Sequence, residues 1–123
     1  MYKRQVKLCG AQLTIYSGND DQITAFMSLG AKGVISVLSN IAPRAVHDMV
    51  KMYLDGDTAA STELQLKYLD LCSSLFSDVN PIPVKEAMNM MGMEVGSCRL
   101  PLTQIQPQAK EKLRRSLSAL GMI

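Results

Sequence analysis

The chain has 123 residues, 47% hydrophobic and 20% charged, with no Trp and a formal charge of +2. That length bounds it to one domain or a piece of a larger one, able to bury about two-thirds of its unfolded surface. The composition excludes a disordered tail, a collagen-like repeat and a disulfide scaffold, and no basic stripe with interleaved aromatics points to nucleic acid.

Residues 6–12 read as the end of a loop or helix. Residues 13–16 are a short β-rich run, followed by the turn cluster Ser17-Gly18-Asn19-Asp20. Asp20 or Asp21 can cap a helix with Ile23, Phe26, Met27 and Gly30 at i, i+3, i+4 and i+7. Gly30 sits where that helix stops. Gly33-Val34-Ile35-Ser36-Val37 follows as a second short, buried strand. Pro43 suits the first position of a helix that presents Val46, Met49, Val50 and Tyr53 and ends at Asp55-Gly56. Asp57 caps a longer helix with Leu64, Tyr68, Leu71 and Leu75 in register. Leu66, Leu69 and Phe76 make a second stripe, so this helix is expected to be covered on two sides. The prolines at 81 and 83 break it, and Pro83 opens another helix with Val84, Ala87, Met88 and Met91 inward and Gly92 as the stop. Residues 93–106 are loop. Pro107 starts a last helix with Ala109, Leu113, Leu117 and Leu120 on one stripe.

Several side chains that could carry chemistry read more simply. Cys9, Cys72 and Cys98 are an odd number at wide spacing, which argues for a reducing compartment, the cytoplasm, and against a zinc site. Each is expected as a small buried hydrophobe. His47 has no second His or Cys nearby and reads as a helix-surface residue. The basic run from Lys110 to Arg115 suits a solvated face. The nine methionines read as core filler. No stretch approaches the ~20 apolar residues of a membrane span, and residues 1–5 lack the apolar core of a signal peptide.

A strand, a helix and a strand with tight connections imply a parallel pair covered by helices. Two strands are too few for an independent parallel sheet, which is normally buried on both faces. The first 37 residues therefore read as the end of a larger α/β fold, and the rest as a helical appendage after its last strand.

Four motifs stand in order: Ser17-Gly18-Asn19-Asp20 after the first strand, Gly33-Val34-Ile35-Ser36-Val37 on the second, Asn80-Pro81-Ile82-Pro83-Val84-Lys85, and Cys98-Arg99-Leu100-Pro101-Leu102. Together, from about residue 10 to Ile123, they resemble the C-terminal part of the dihydrodipicolinate synthase family of pyruvate-dependent class I aldolases. The stretch from Asn80 to Lys85 favours the synthases over sialic acid lyases and keto-sugar-acid aldolases. The resemblance implies an α/β fold: the C-terminal part of a TIM (β/α)8 barrel, strands seven and eight, followed by a three-helix appendage. Residues 1–56 would be the last two βα units and 57–123 the helical region. Residues 1–5 do not match the family's approach to strand seven, so the chain is expected to be truncated.

The family's reaction is a Schiff-base aldol condensation of pyruvate with aspartate semialdehyde, in lysine biosynthesis through diaminopimelate, by a cytoplasmic homotetramer. It implies no cofactor, no metal, no nucleic acid and no membrane. The Schiff-base lysine lies on strand six, which this chain lacks, so no catalytic residue is assigned and the chain alone is expected to be inactive. Lys7 precedes strand seven and Lys32 lies at the wrong end of strand eight. What remains is the wall of the site. The resemblance assigns substrate-binding positions to Gly18, Asn19, Asp20 and Ile35. Gly18 would leave room for substrate, and the Ile35 backbone carbonyl would face bound pyruvate. Many members carry Asp where this chain has Asn19. Without the resemblance, Gly18 reads as a turn glycine, Asp20 as a helix cap and Ile35 as core. Two other readings stay open: another aldolase of the same family, and a free-standing helical interaction module.

Overall fold

The computed structural model describes residues 2–10 and 12–123, and among the described residues it forms seven α-helices. They are α1 (Tyr2–Cys9), α2 (Ile23–Met27), α3 (Pro43–Leu54), α4 (Thr58–Lys67), α5 (Leu69–Leu75), α6 (Ile82–Met90) and α7 (Pro107–Ala119). Short 3-10 turns at Asp20–Gln22 and Leu38–Asn40 precede α2 and α3. Met1 of the 1–5 stretch and Ala11 of the 6–12 stretch lie outside the described residues. Two compact units result, Met1–Tyr68 and Leu69–Ile123. The division falls a helix later than the expected boundary at 56/57, because α4 is bonded into the first unit by two buried side chains. Ser61 Oγ donates to the Met49 carbonyl of α3 at 2.7 Å, and Gln65 bonds the segment around Asp20.

In the first unit, residues 13–17 and 33–37 come together in parallel. The Lys32 N–H donates to the Ile15 carbonyl at 2.9 Å, Ser17 N–H to the Gly33 carbonyl at 2.8 Å, and Ile35 N–H to the Ser17 carbonyl at 2.8 Å. Gly33 is buried at the crossing, where a Cβ would stand 3.2 Å from the Tyr16 ring. The pairing is one bridge, Ser17 with Val34. Among the described residues no β-strand forms, so the expected strands and sheet are not observed. A parallel pair with no third member has nothing on either outer edge to extend its ladder. The expected burial of 33–37 fails at Ile35, which is 74% exposed.

Helix α2 runs as its apolar spacing predicts, with Ile23 and Met27 buried and a stop at Gly30, whose φ of 103° suits glycine. Its cap differs from expectation. Neither Asp20 nor Asp21 bonds its first amides. Gln65 of α4 does so, with Oε1 accepting from the Ile23 N–H at 2.9 Å and the Thr24 N–H at 3.4 Å. Its Nε2 donates to the Asp20 carbonyl at 2.8 Å. Helix α3 starts at Pro43 and buries Ala45, Val46 and Met49. Asp57 caps α4 as predicted, accepting from the Ala60 N–H at 3.1 Å.

The long helix expected after Asp57 is two helices. Tyr68, at φ −96° and ψ 1°, lies outside helical geometry and ends α4. The stripe divides accordingly: Leu71 and Leu75 are fully buried, Leu64 and Tyr68 only partly. The second stripe is not covered. Leu66, Leu69 and Phe76 are exposed.

In the second unit, α7 packs against α5 and α6. Leu71 and Leu75 of α5 and Leu113 and Leu117 of α7 are fully buried, each contributing about 1.5–3 kcal/mol by leaving water. Ser74 and Ser116 share a hydrogen bond at 2.7 Å. Helix α6 begins at Ile82, one residue before the predicted start, with Pro83 in its first turn and Val84 and Ala87 buried. Residues 93–106 are irregular as predicted, and Lys85 Nζ and Asn89 Nδ2 bond the carbonyls of Ser97 and Gly96. Helix α7 has no side-chain cap of its own. Asp78 stands in: its Oδ2 accepts from the Gln106 N–H at 2.9 Å and its Oδ1 from the Val79 N–H at 2.7 Å. Of the cysteines, Cys72 is buried while Cys9 and Cys98 are half-buried, so the expectation of three buried cysteines holds for one. His47 is on the surface beside Asp48.

These caps make stability testable in two ways. Gln65→Leu keeps volume but leaves the Asp20 carbonyl and the Ile23 amide without partners, so it should cost about 1–3 kcal/mol. Urea unfolding with amide exchange measures this, and unchanged protection at Ile23 would contradict the cap. Asp78 gives a pH dependence. The Gln106 amide, then the Val79 amide, hold its carboxyl below the usual range. A depressed folded value means the stabilisation is present above about pH 4 and is lost as pH falls through the folded value. Wild type and Asp78→Asn should therefore differ near neutrality and converge in acid. Parallel curves from pH 7 to 2 would refute it.

Candidate functional site

The predicted site residues gather where the 13–17 segment turns into α2 and the 33–37 segment turns into α3. In a parallel pair the rungs alternate along the partner. After Ser17 donates to Gly33 and accepts from Ile35, the next rung would run from the Asn19 N–H to the Ile35 carbonyl. That rung is missing. The Asn19 N–H donates instead to Ser17 Oγ at 3.0 Å, and Ser17 Oγ donates back to the Asn19 carbonyl at 3.0 Å. This local turn is the competition that serine side chains offer to a ladder. Among the described residues no donor reaches the Ile35 carbonyl.

Gly18 lies next to this carbonyl's end of the bridge. Its φ is outside the left-handed region, and a Cβ built on it would meet no atom within 4 Å. Neither the turn nor the packing of this chain requires a glycine there. Gly18 and Asn19 also border an open groove of about 550 Å³, with Tyr16, Gln22 and Phe26 among its other walls; Ile35 does not line it.

Asp20 is placed differently from its neighbours. It is 2% exposed. Its Oδ2 accepts from the Val37 N–H at 2.8 Å and the Leu38 N–H at 3.0 Å, so it ties the turn after one segment to the turn after the other. Its Oδ1 is buried with no partner. Ser36 and Ser39 bond each other's backbone reciprocally, Ser39 N–H to Ser36 Oγ at 2.9 Å and Ser39 Oγ to the Ser36 carbonyl at 3.1 Å. The structure thus brings Gly18, Asn19, Asp20 and Ile35 to one end of the bridge, with Asp20 beneath the surface and Ile35 exposed.

Lys32 lies at the opposite end of the bridge, where its N–H bonds Ile15, and Lys7 is exposed on α1. Among the described residues no cluster of His, Cys, Asp and Glu could hold a metal ion, and no helix is long and apolar enough to cross a membrane.

Sequence reasoning missed Gln65, which is 4% exposed and holds the backbone of Asp20. A signal was there. Ser61 and Gln65 are a polar pair at i, i+4, and both are buried, in a helix whose leucines do not form one clean stripe.

Comparison with known proteins bears on the family of the chain. The sequence profile of the dihydrodipicolinate synthetase family matches residues 1–120. A 4-hydroxy-tetrahydrodipicolinate synthase from Acetivibrio thermocellus is 48% identical over 118 residues, 96% of this chain and 40% of the relative. One from Lachnoclostridium phytofermentans is 53% identical over 115 residues, 94% of this chain and 39% of the relative. The crystal structure of the dihydrodipicolinate synthase from Thermotoga maritima superposes with a TM-score of 0.94 at 37% identity, over 99% of this chain and 42% of that one. The chain spans about two-fifths of the length of these relatives. With a profile match over nearly its whole length and close backbone superposition, this chain belongs to the dihydrodipicolinate synthetase family.

Proposed function

We propose that this chain is the C-terminal region of a 4-hydroxy-tetrahydrodipicolinate synthase, a lyase that condenses pyruvate with aspartate semialdehyde. In this reading the 13–17 and 33–37 segments are strands seven and eight of the barrel. The complete enzyme is a cytoplasmic homotetramer. A lysine outside these 123 residues adds its amine to the ketone of pyruvate. Water leaves, and the resulting imine serves as the electron sink from which an enamine carbanion equivalent forms.

This chain contributes the wall at the C-terminal end of the strands, where barrel enzymes hold their sites. The observation that carries the reading is the unused Ile35 carbonyl at the end of the bridge, beside a glycine that nothing within the chain demands. A carbonyl fixed by its own backbone is a preorganised acceptor. Aimed at an iminium, it stabilises positive charge without reorganising. Gly18 keeps the approach to that carbonyl clear, and Asn19 offers an exposed amide at the rim.

Chemical trapping tests the reading directly. Reduction with borohydride in the presence of pyruvate, read by intact mass, should leave the 123-residue chain unmodified. Joined to the N-terminal region of the Acetivibrio thermocellus synthase, the same chain should gain one pyruvyl adduct. A stoichiometric adduct on one lysine of the short chain would sink the reading. In the joined enzyme, Gly18→Val should lower kcat/KM for pyruvate on the order of a hundredfold, the scale set by misplacing a reacting group by about an ångström. Ile35→Val keeps the carbonyl and removes one methylene, so it should act little on rate and cost about 0.5–1.5 kcal/mol of stability at most. Equal losses in the two variants would remove Gly18 from the site.

A further inference from the structure

The Asp20 carboxylate is the most constrained polar group near the bridge, and the wall as described leaves its side chain without a task. We infer that Asp20 is a positioning residue that sets where the Ile35 carbonyl points; this rests on the reading of that carbonyl as belonging to a pyruvate site.

The geometry runs through a short series of bonds. One oxygen, Oδ2, takes both the Val37 and the Leu38 amides, at 2.8 and 3.0 Å. Charge-assisted bonds of this kind are about twice as strong as neutral ones. The Asp20 backbone is fixed in turn by Gln65 Nε2 at 2.8 Å, so the carboxylate is held from α4. On the other side, the Ile35 N–H is held by the Ser17 carbonyl at 2.8 Å, and the Ser36 carbonyl by Ser39 Oγ at 3.1 Å. The peptide between Ile35 and Ser36 is therefore anchored immediately before and after its carbonyl. Among the described residues, only Asp20 anchors the two amides that follow.

The second oxygen points the same way. A residue needed only to close two amides could be neutral. Asp20 instead brings a charge to both amides, and among the described residues its buried Oδ1 has no hydrogen-bond partner. The requirement met is a rigid hold on the 37–38 turn.

The test uses the joined enzyme, with Asp20→Ala and Asp20→Asn. Asparagine keeps an acceptor oxygen of the same reach; alanine does not. With Asp20→Ala, the rate of borohydride-trappable imine formation should fall on the order of a hundredfold, and KM for pyruvate should rise. The end point should stay at one adduct per chain, and KM for the aldehyde should not move. Asp20→Asn should recover the rate to within about tenfold of the parent. An Asp20→Ala variant that matches the parent in rate and KM overturns the inference. So does one that loses only end point, since that reports fewer folded molecules, and so does an Asp20→Asn variant as slow as Asp20→Ala. A parent enzyme that traps no pyruvate would instead overturn the Schiff-base reading, and this inference with it.

Discussion

The first unit is organised by a problem of unpaired backbone. A buried amide or carbonyl must find a partner, and a two-membered parallel pair flanked by short helices cannot supply enough of them. Asp20 and Gln65 make up the deficit. Asp20 closes the amides of Val37 and Leu38, and Gln65 closes the first amides of α2 and the Asp20 carbonyl. These bonds span 17 to 45 residues of sequence. They join the two halves of the bridge to α4, and they explain why α4 belongs to the first unit.

The same accounting explains the site. Ser17 Oγ takes the Asn19 amide out of the ladder, and the carbonyl that would have received it is left unused. The Ser17 hydroxyl thus takes the donor of the next rung, and among the described residues the Ile35 carbonyl is left without one. What lies beneath is rigid and what lies above is open: the carboxylate of Asp20 is buried, while Gly18 faces free space. Such a division suits a binding wall, whose surface groups must be few and whose supports must not move.

The second unit obeys a simpler rule. Leucines at helical spacing on α5 and α7 close a small core, and α7 has its start completed from a distance, by Asp78 in the loop after α5. Two of its exposed apolar side chains, Leu69 and Phe76, sit outside that core. They belong to the predicted two-sided helix, on the side that this chain leaves uncovered.

Punctuation and packing faces were legible in the residues alone. Pro43 and Pro107 open helices, and Pro83 sits in the first turn of one, because a ring-locked φ and a missing N–H cost nothing there. Gly30 and Gly92 end them, and the leucine spacing of α7 selects Leu113 and Leu117 for the core. The parallel approach of 13–17 and 33–37 was legible from the order of elements, and the family from four motifs in sequence. Other features emerged only on folding. The pairing stops at one bridge, because strand formation depends on neighbours that local sequence does not contain. The long helix breaks at Tyr68, a one-residue change of dihedral that leaves the apolar period almost intact. Asp20 turns from a cap of its own helix into a clamp on another turn, and Gln65 takes over the cap. A side-chain hydrogen bond between residues tens of positions apart leaves no periodic trace, so only the folded chain could reveal it.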